Sequence, residues 1–152
     1  MKQLGIIALL GAAILLAGCG SSSDNNNSEN VNGHWTANLT DMSGNPVFSF
    51  TTDLNQNSGS TITGTNLSFT TATPCFGSDS TETGGFSFSG NFNGNATGAF
   101  TLTIQSGTVN SNGNNTLNLQ GTLNHNTITG TWVLSGNGAG CTGSGNFTMN
   151  RG

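Results

Sequence analysis

The segment Thr61-Ile62-Thr63-Gly64-Thr65 recurs unchanged as Thr127-Ile128-Thr129-Gly130-Thr131, and in each copy a cysteine, Cys75 or Cys141, stands ten residues beyond the final threonine. A strand-like pattern precedes each copy, Phe48-x-Phe50-x-x-x-Leu54-Asn55 in the first half and Leu117-x-Leu119-x-x-x-Leu123-Asn124 in the second. Ser-Gly-Asn-Phe follows each cysteine, from Ser89 to Phe92 and from Ser144 to Phe147, and Gly33-His34-Trp35-Thr36 loosely matches Gly98-Ala99-Phe100-Thr101. Several matches in one order point to two copies of a unit of roughly sixty residues, about 33–92 and 96–150.

Within each copy apolar residues fall two apart with Ser, Thr or Asn between them, as at Phe48 and Phe50, Phe86 and Phe88, or Phe100, Leu102 and Ile104. That is the period of a sheet with one dry and one wet face. Eight strands are expected, at about 33–40, 46–54, 60–70, 83–92, 96–105, 115–123, 126–135 and 142–150. Turn formers such as Ser43-Gly44-Asn45, Asn57-Ser58-Gly59, Asn93-Gly94 and Asn112-Gly113-Asn114 separate them, and such residues adopt hairpin geometry at little cost. Eight hairpin-linked strands must bury one face and dispose of two edges. The expected fold is an all-β, eight-stranded antiparallel up-and-down barrel built from two four-strand repeats; the alternative is a two-sheet sandwich.

The chain starts differently. A short positive start at Lys2 leads into an apolar run from Leu4 to Ala17, the layout of an export signal and too short to span a bilayer as a helix. Leu16-Ala17-Gly18-Cys19 at its end resembles the lipobox of bacterial lipoproteins. The resemblance implies that residues 1–18 are removed as a signal peptide, that Cys19 carries a thioether-linked diacylglycerol, and that lipid holds the chain at a membrane surface. Gly20 rather than Asp after the cysteine implies the outer membrane in a Gram-negative source. From Ser21 to Asn30 no side chain is apolar, so 19–30 is expected to be a lipidated cysteine on a flexible polar tether. Residues 31–152 are expected to form a single β domain.

Charged residues make up 5% of the chain, which narrows the partners. Beyond the signal, the sole basic residue is Arg151, against Asp24, Glu29, Asp41, Asp53, Asp79 and Glu82. Nucleic-acid binding has no electrostatic footing in such a chain, nor does a basic membrane-binding patch. With Cys19 lipidated, Cys75 and Cys141 are the thiols left in an exported, oxidising compartment and should form one disulfide. The alternatives, a reactive cysteine or a metal pair, lack the neighbouring His and carboxylate residues such chemistry needs. Pairing of equivalent positions requires both cysteine loops at one end of the fold.

Gly33-His34-Trp35 on the first strand and Arg151 on the last resemble the calycin superfamily of lipocalins, fatty-acid-binding proteins and avidins. There an arginine from the final strand packs on the tryptophan of Gly-x-Trp at the barrel floor, and the same packing of Trp35 and Arg151 is implied here. No helix precedes the last strand, unlike lipocalins. Thr129-Gly130-Thr131-Trp132 is similar to an avidin strand, but the chain has no Tyr and only Trp35 and Trp132 as indoles, so biotin is not the expected ligand.

No catalytic constellation emerges. His34, His125, Asp41, Asp53, Asp79 and Glu82 are scattered singly and read as solvated turn or strand-end groups, with Asp79 and Glu82 assigned to the Cys75 loop. No nucleophile elbow, zinc helix or phosphate loop is present. Asp41-Met42-Ser43-Gly44-Asn45 lacks the carboxylates of a calcium loop. The expectation is a non-enzymatic envelope lipoprotein, without cofactor or metal, that binds a small apolar or carbohydrate ligand or an envelope protein partner. Phe48, Phe50, Phe86, Phe88, Phe100 and Trp132 are the candidate ligand-lining residues. A structural or adhesive surface module is the alternative, and an envelope-polymer hydrolase comes third, requiring two carboxylates about 5 to 9.5 Å apart.

Overall fold

The computed structural model describes residues 30–57, 59–70, 73–89, 97–107 and 114–152. The signal segment, Cys19, the tether up to Glu29 and the turns at Asn93-Gly94 and Asn112-Gly113 lie outside the described residues, as do the side chain of Phe88 and all of Phe92. The described residues form β1 (Gly33–Asp41), β2 (Pro46–Gln56), β3 (Thr61–Phe69), β4 (Thr81–Ser89), β5 (Thr97–Gln105), β6 (Thr116–Asn124), β7 (Thr127–Ser135) and β8 (Gly143–Arg151), with no helix among them. Each strand pairs antiparallel with the next, and β1 pairs with β8 from Trp35↔Arg151 to Asp41↔Gly145, so the sheet closes in the order β1-β2-β3-β4-β5-β6-β7-β8. The up-and-down barrel is therefore the fold, and the sandwich alternative is not. Pairing of β1 with β8 leaves neither the first nor the last strand as an open edge.

Alternation sets the inside. Trp35, Ala37 and Leu39 of β1, Phe50 and Leu54 of β2, Phe100, Leu102 and Ile104 of β5, Leu117, Leu119 and Leu123 of β6, and Phe147 and Met149 of β8 are all buried. Fully burying a side chain of this kind stabilises by about 1.5 to 3 kcal/mol, and the threonines, serines and asparagines between them hydrate the outer surface.

One end of the barrel carries the chain's entry and exit. The Trp35 indole Nε1–H donates to the Val31 carbonyl at 2.8 Å, and the Arg151 guanidinium carbon sits 4.9 Å from the Trp35 ring centroid. Arg151 Nη2 also donates to the Asn30 carbonyl at 2.5 Å. A cation over an indole face contributes about 0.5 to 2 kcal/mol, more as it is desolvated. The opposite end holds the β3–β4 and β7–β8 loops, where Cys75 and Cys141 form a disulfide across a sequence separation of 66 residues, their Cα atoms 5.6 Å apart. Asn115, 1% exposed, ties a third loop to the same end by donating its side-chain amide to the Cys75 carbonyl at 2.9 Å.

The duplication is visible but not symmetric. Gly33 lies opposite Leu54 and Gly98 opposite Leu123, so β1–β2 and β5–β6 share one register. The identical pentapeptides do not. Gly64 lies opposite Leu54, whereas Gly130 lies opposite Gly121, two residues from Leu123. The Ser-Gly-Asn-Phe match also fails as a structural equivalence, because Ser89 ends β4 while Ser144 stands at the start of β8.

Replacing both Cys75 and Cys141 by serine should lower stability by about 4 kcal/mol, the chain-entropy value for a loop of this length, measured as a shift of the urea midpoint. Arg151→Ala should cost about 1 to 2 kcal/mol through loss of the indole stack and the carbonyl bond, with quenching of Trp35 fluorescence altered before unfolding begins.

Candidate functional site at the seam between the third and fourth strands

One junction in the barrel is weaker than the rest. β3 and β4 pair only at Thr61↔Gly85, Ile62↔Gly84 and Thr63↔Thr83, while β4–β5, for example, pairs continuously from Thr81↔Gln105 to Ser89↔Thr97. The cause lies in β3. Thr51 pairs with Ser68 and Asp53 with Thr65, so Asn66 and Leu67 together oppose Thr52. Asn66 has φ 55°, a left-handed conformation that asparagine tolerates better than most residues. This is a β-bulge, which bends its strand and disrupts the ladder. Leu67 and Phe69 beyond the bulge pack against the core, whereas in the second copy Trp132 and Leu134 hold the buried positions. Asn66 thus acts as one additional residue between two otherwise similar strands.

The gap exposes an interior group that the sequence reading placed elsewhere. Glu82 was expected in the Cys75 loop as a solvated residue; it lies in β4, 6% exposed. The alternation Glu82, Gly84, Phe86 continues the inward face, and extending the Thr63↔Thr83 register by one residue puts Glu82 opposite Gly64. The corresponding residue opposite Gly130 is Phe147, a core ring that is 3% exposed. A carboxyl therefore occupies in the first copy the place of an aromatic ring in the second. Gly64 makes it possible: a Cβ there would fall 2.1 Å from Glu82 Cδ, so the carboxyl crosses β3 over the bare glycine and reaches β2.

On β2 it meets Thr52, which is wholly buried. The Thr52 hydroxyl oxygen is 2.5 Å from Glu82 Oε1 and 3.1 Å from the Thr65 carbonyl. A hydroxyl has one hydrogen to donate. If Glu82 is ionised, Thr52 donates to it rather than to the Thr65 carbonyl. If Glu82 is protonated, it can donate to Thr52 while Thr52 donates onward to Thr65, so that both contacts of the Thr52 hydroxyl are hydrogen bonds. Burial, opposed by the Thr52 bond and reinforced by the negative charge of Asp53, raises the Glu82 pKa from 4.5 to about 7. Among the described residues Glu82 Oε2 has no hydrogen-bond partner, and neither does the buried Ser80 Oγ.

One hollow meets this carboxyl and a second adjoins the first. The larger, of about 530 Å³, is lined by β3 from Thr63 to Leu67 and by Ser78, Ser80, Thr81 and Glu82. The smaller, of about 320 Å³, shares Leu67 and Ser78 with it and continues along Phe69 and Phe76. The rings of Phe69 and Phe76 stack with centroids 5.0 Å apart and planes 7° from parallel. Neither ring was among the ligand-lining candidates, because Phe69 follows the bulge that reverses the alternation and Phe76 lies outside any strand.

The residues named from the sequence are distributed differently. Phe50 and Phe100 are 0% and 1% exposed and belong to the packed interior. Phe86, 2% exposed, lies on the same inward face as Glu82. Phe48 and Trp132 touch edge-on at 5.6 Å and line a separate hollow of about 180 Å³ beneath Pro74 and Cys75, with Trp132 Nε1 donating to the Thr40 carbonyl at 2.8 Å. His34 is outside the barrel, its Nδ1 2.7 Å from Asp53 Oδ1, and Asn66 Nδ2 donates to Asp53 Oδ2 at 2.6 Å. The Asn66 amide, and after it His34, hold the Asp53 carboxyl below the usual range. Asp41 is likewise held low, first by the Asn45 side chain, in a hairpin turn where it also accepts from the Ser43 and Asn45 backbones at 2.8 Å. His125 has φ 58° in the two-residue turn between β6 and β7. Among the described residues no three His, Cys, Asp or Glu side chains gather as a metal site.

Because folding raises the Glu82 pKa, the folded state binds its proton more tightly than the unfolded chain does. This contribution is whole below pH 4.5 and is lost as pH rises to about 7, a loss on the order of 3 kcal/mol. Urea midpoints should fall across that window, and Glu82→Gln, which cannot ionise, should flatten the profile while leaving the barrel folded.

Compared with protein-family models, curated proteins and solved structures, the chain matches none.

Proposed function

We propose that this chain is a lipid-anchored cell-envelope lipoprotein, held at the outer membrane when its source is Gram-negative, whose barrel is a non-enzymatic module binding a small ligand in the β3–β4 groove. The observation that carries the binding reading is the buried Glu82 carboxyl, one of whose oxygens has no partner among the described residues, beside the place where β3 and β4 part. An unpaired buried polar group costs about 1 to 3 kcal/mol, and the protein retains it where a core phenylalanine stands in the other copy. Convergent polar groups beside an apolar surface are the usual composition of a small-molecule site. The anchor rests on Leu16-Ala17-Gly18-Cys19, and the stacking of Arg151 on Trp35 supports the likeness to calycin barrels.

The reading of binding without catalysis is supported by the separation of Glu82 from Asp53. Glu82 points into the barrel, whereas Asp53 is engaged outside it by His34 and Asn66, so the two do not share a cleft. An adhesive role has thinner support: exposed Val47 and Val133 stand on β2 and β7, separated by β8 and β1.

Two experiments test this reading. Labelled fatty acid should be incorporated into the full chain but not into Cys19→Ala, and equal labelling would remove the anchor. In a screen of neutral, cationic, anionic and sugar fragments against the full chain, amide resonance shifts should concentrate at 63–69 and 76–82. Binding that leaves both segments unmoved would remove the seam as the site.

A further inference from the structure

Resting on the reading of the seam as a ligand site, we infer that it selects a small organic cation, a primary amine with a short apolar tail, whose ammonium pairs with Glu82 while its tail lies along Leu67, Phe69 and Phe76. Three features of the groove carry this. First, the side-chain groups lining the larger hollow are the hydroxyls of Thr63, Thr65, Ser78, Ser80 and Thr81, the Asn66 amide and the Glu82 carboxyl, with no Lys, Arg or His among them. The Asn66 amide is already committed to Asp53. The lining is therefore rich in acceptors, and an ammonium, with three donors and no acceptor, is its complement.

Second, two acceptors in this wall lack a partner, Glu82 Oε2 and Ser80 Oγ, and both residues line the same hollow. An ammonium group brings three donors to that wall. A charge-assisted bond to a carboxylate is roughly twice as strong as a neutral one, and a cation offsets the desolvation that makes an unpaired buried carboxylate costly. An anion would meet Glu82 with no compensating charge in the lining.

Third, the continuation along Leu67, Phe69 and Phe76 gives an apolar surface at one end of the polar hollow, so the acceptors and the greasy wall are offset along a single path. With a formal charge of −4 and no charged cluster of the opposite sign, the protein as a whole also attracts cations rather than anions.

Ammonium binding requires the ionised carboxylate, so it must displace the Glu82 proton and release Thr52 from its onward bond to Thr65. The titratable group nearest on the neighbouring strands is Asp53 of β2, whose negative charge opposes ionisation of Glu82; β3 and β5 contribute no charged side chain. Affinity for the amine should rise with pH through about 7, opposite in sign to the stability profile of the free protein.

The test uses n-butylammonium, n-butanol and butyrate as probes of the full chain, with the Glu82 side-chain carboxyl followed by carbon NMR. Butylammonium should bind at least about ten-fold more tightly than butanol near pH 8, lose about ten-fold in affinity near pH 5.5, and lower the Glu82 midpoint by about one unit or more. Glu82→Gln should erase the preference for the amine. The carboxyl titration in the unaltered chain decides the matter even if that variant does not fold. Equal binding of butanol and butylammonium at 63–69 and 76–82 would overturn the amine assignment and leave the seam as a site for neutral ligands. An unmoved Glu82 midpoint at saturating amine would overturn it as well. If no probe in this set or in the broader fragment screen perturbs the seam, both the assignment and the binding reading fall.

Discussion

Closure of the backbone ladder is the constraint from which the rest follows. A chain with so few charges cannot protect exposed strand edges with lysine or with repulsive side chains, the usual devices of open sheets. Here the last strand pairs with the first along Trp35↔Arg151 to Asp41↔Gly145, and hydrogen bonding round the circumference replaces electrostatic protection. Closure also fixes which side of every strand is dry. That is why Thr, Ser and Asn can dominate the outer surface without weakening the core, and why the pair of Glu82 and Thr52 on the inner side matters so much.

Against that background the bulge at Asn66 has effects larger than its size. Inserting one residue into β3 changes which side chains beyond it face the interior, bringing Leu67 and Phe69 into contact with the core. It also coincides with the point where β3 and β4 part. The two copies share a pentapeptide, but one continues into an unbroken ladder through Trp132↔Gly145 and the other into a groove. Gly64 and Gly130 are likewise the same residue in the same local sequence, yet a carboxyl lies over one and Phe147 stands opposite the other. The repeated pentapeptide gives two similar walls, and small local departures make one of them different in kind.

Much of the barrel was legible before any coordinates because it depends on periodic signals. Alternation at Phe48 and Phe50 or Phe100, Leu102 and Ile104 identifies strands, and turn residues such as Ser43-Gly44-Asn45 mark where they reverse. The pairing of Cys75 and Cys141 was legible because they are the thiols left once Cys19 is assigned to lipid, and their equivalence in the repeat placed both loops at one end. The seam was not legible, for an equally physical reason. Glu82 carries no mark in the sequence of facing inward, and a charged residue near Asp79 and a cysteine loop reads as solvated. Its burial depends on Gly64, eighteen positions away in the sequence, and on the register of a ladder that stops just short of it. Phe69 was missed because the bulge breaks the very period used to find strands. Asn66-Leu67 directly after the first pentapeptide, where Trp132-Val133 follows the second, is the sort of signal that could have flagged the place.

The disulfide joins the two halves rather than closing either one. A chain delivered amino end first must complete seven strands before Cys141 follows Cys75 into reach. Throughout that interval the earlier thiol has no native mate, and β1 has no β8 to lie against. The finished molecule is therefore locked only by its final segment, at both ends nearly together: Cys141 just before β8 begins, Arg151 just as it finishes. A copy interrupted before Cys141 would leave an unclosed sheet with two open flanks and a reactive sulfur, so the quality of the product is decided as residues 141–151 arrive.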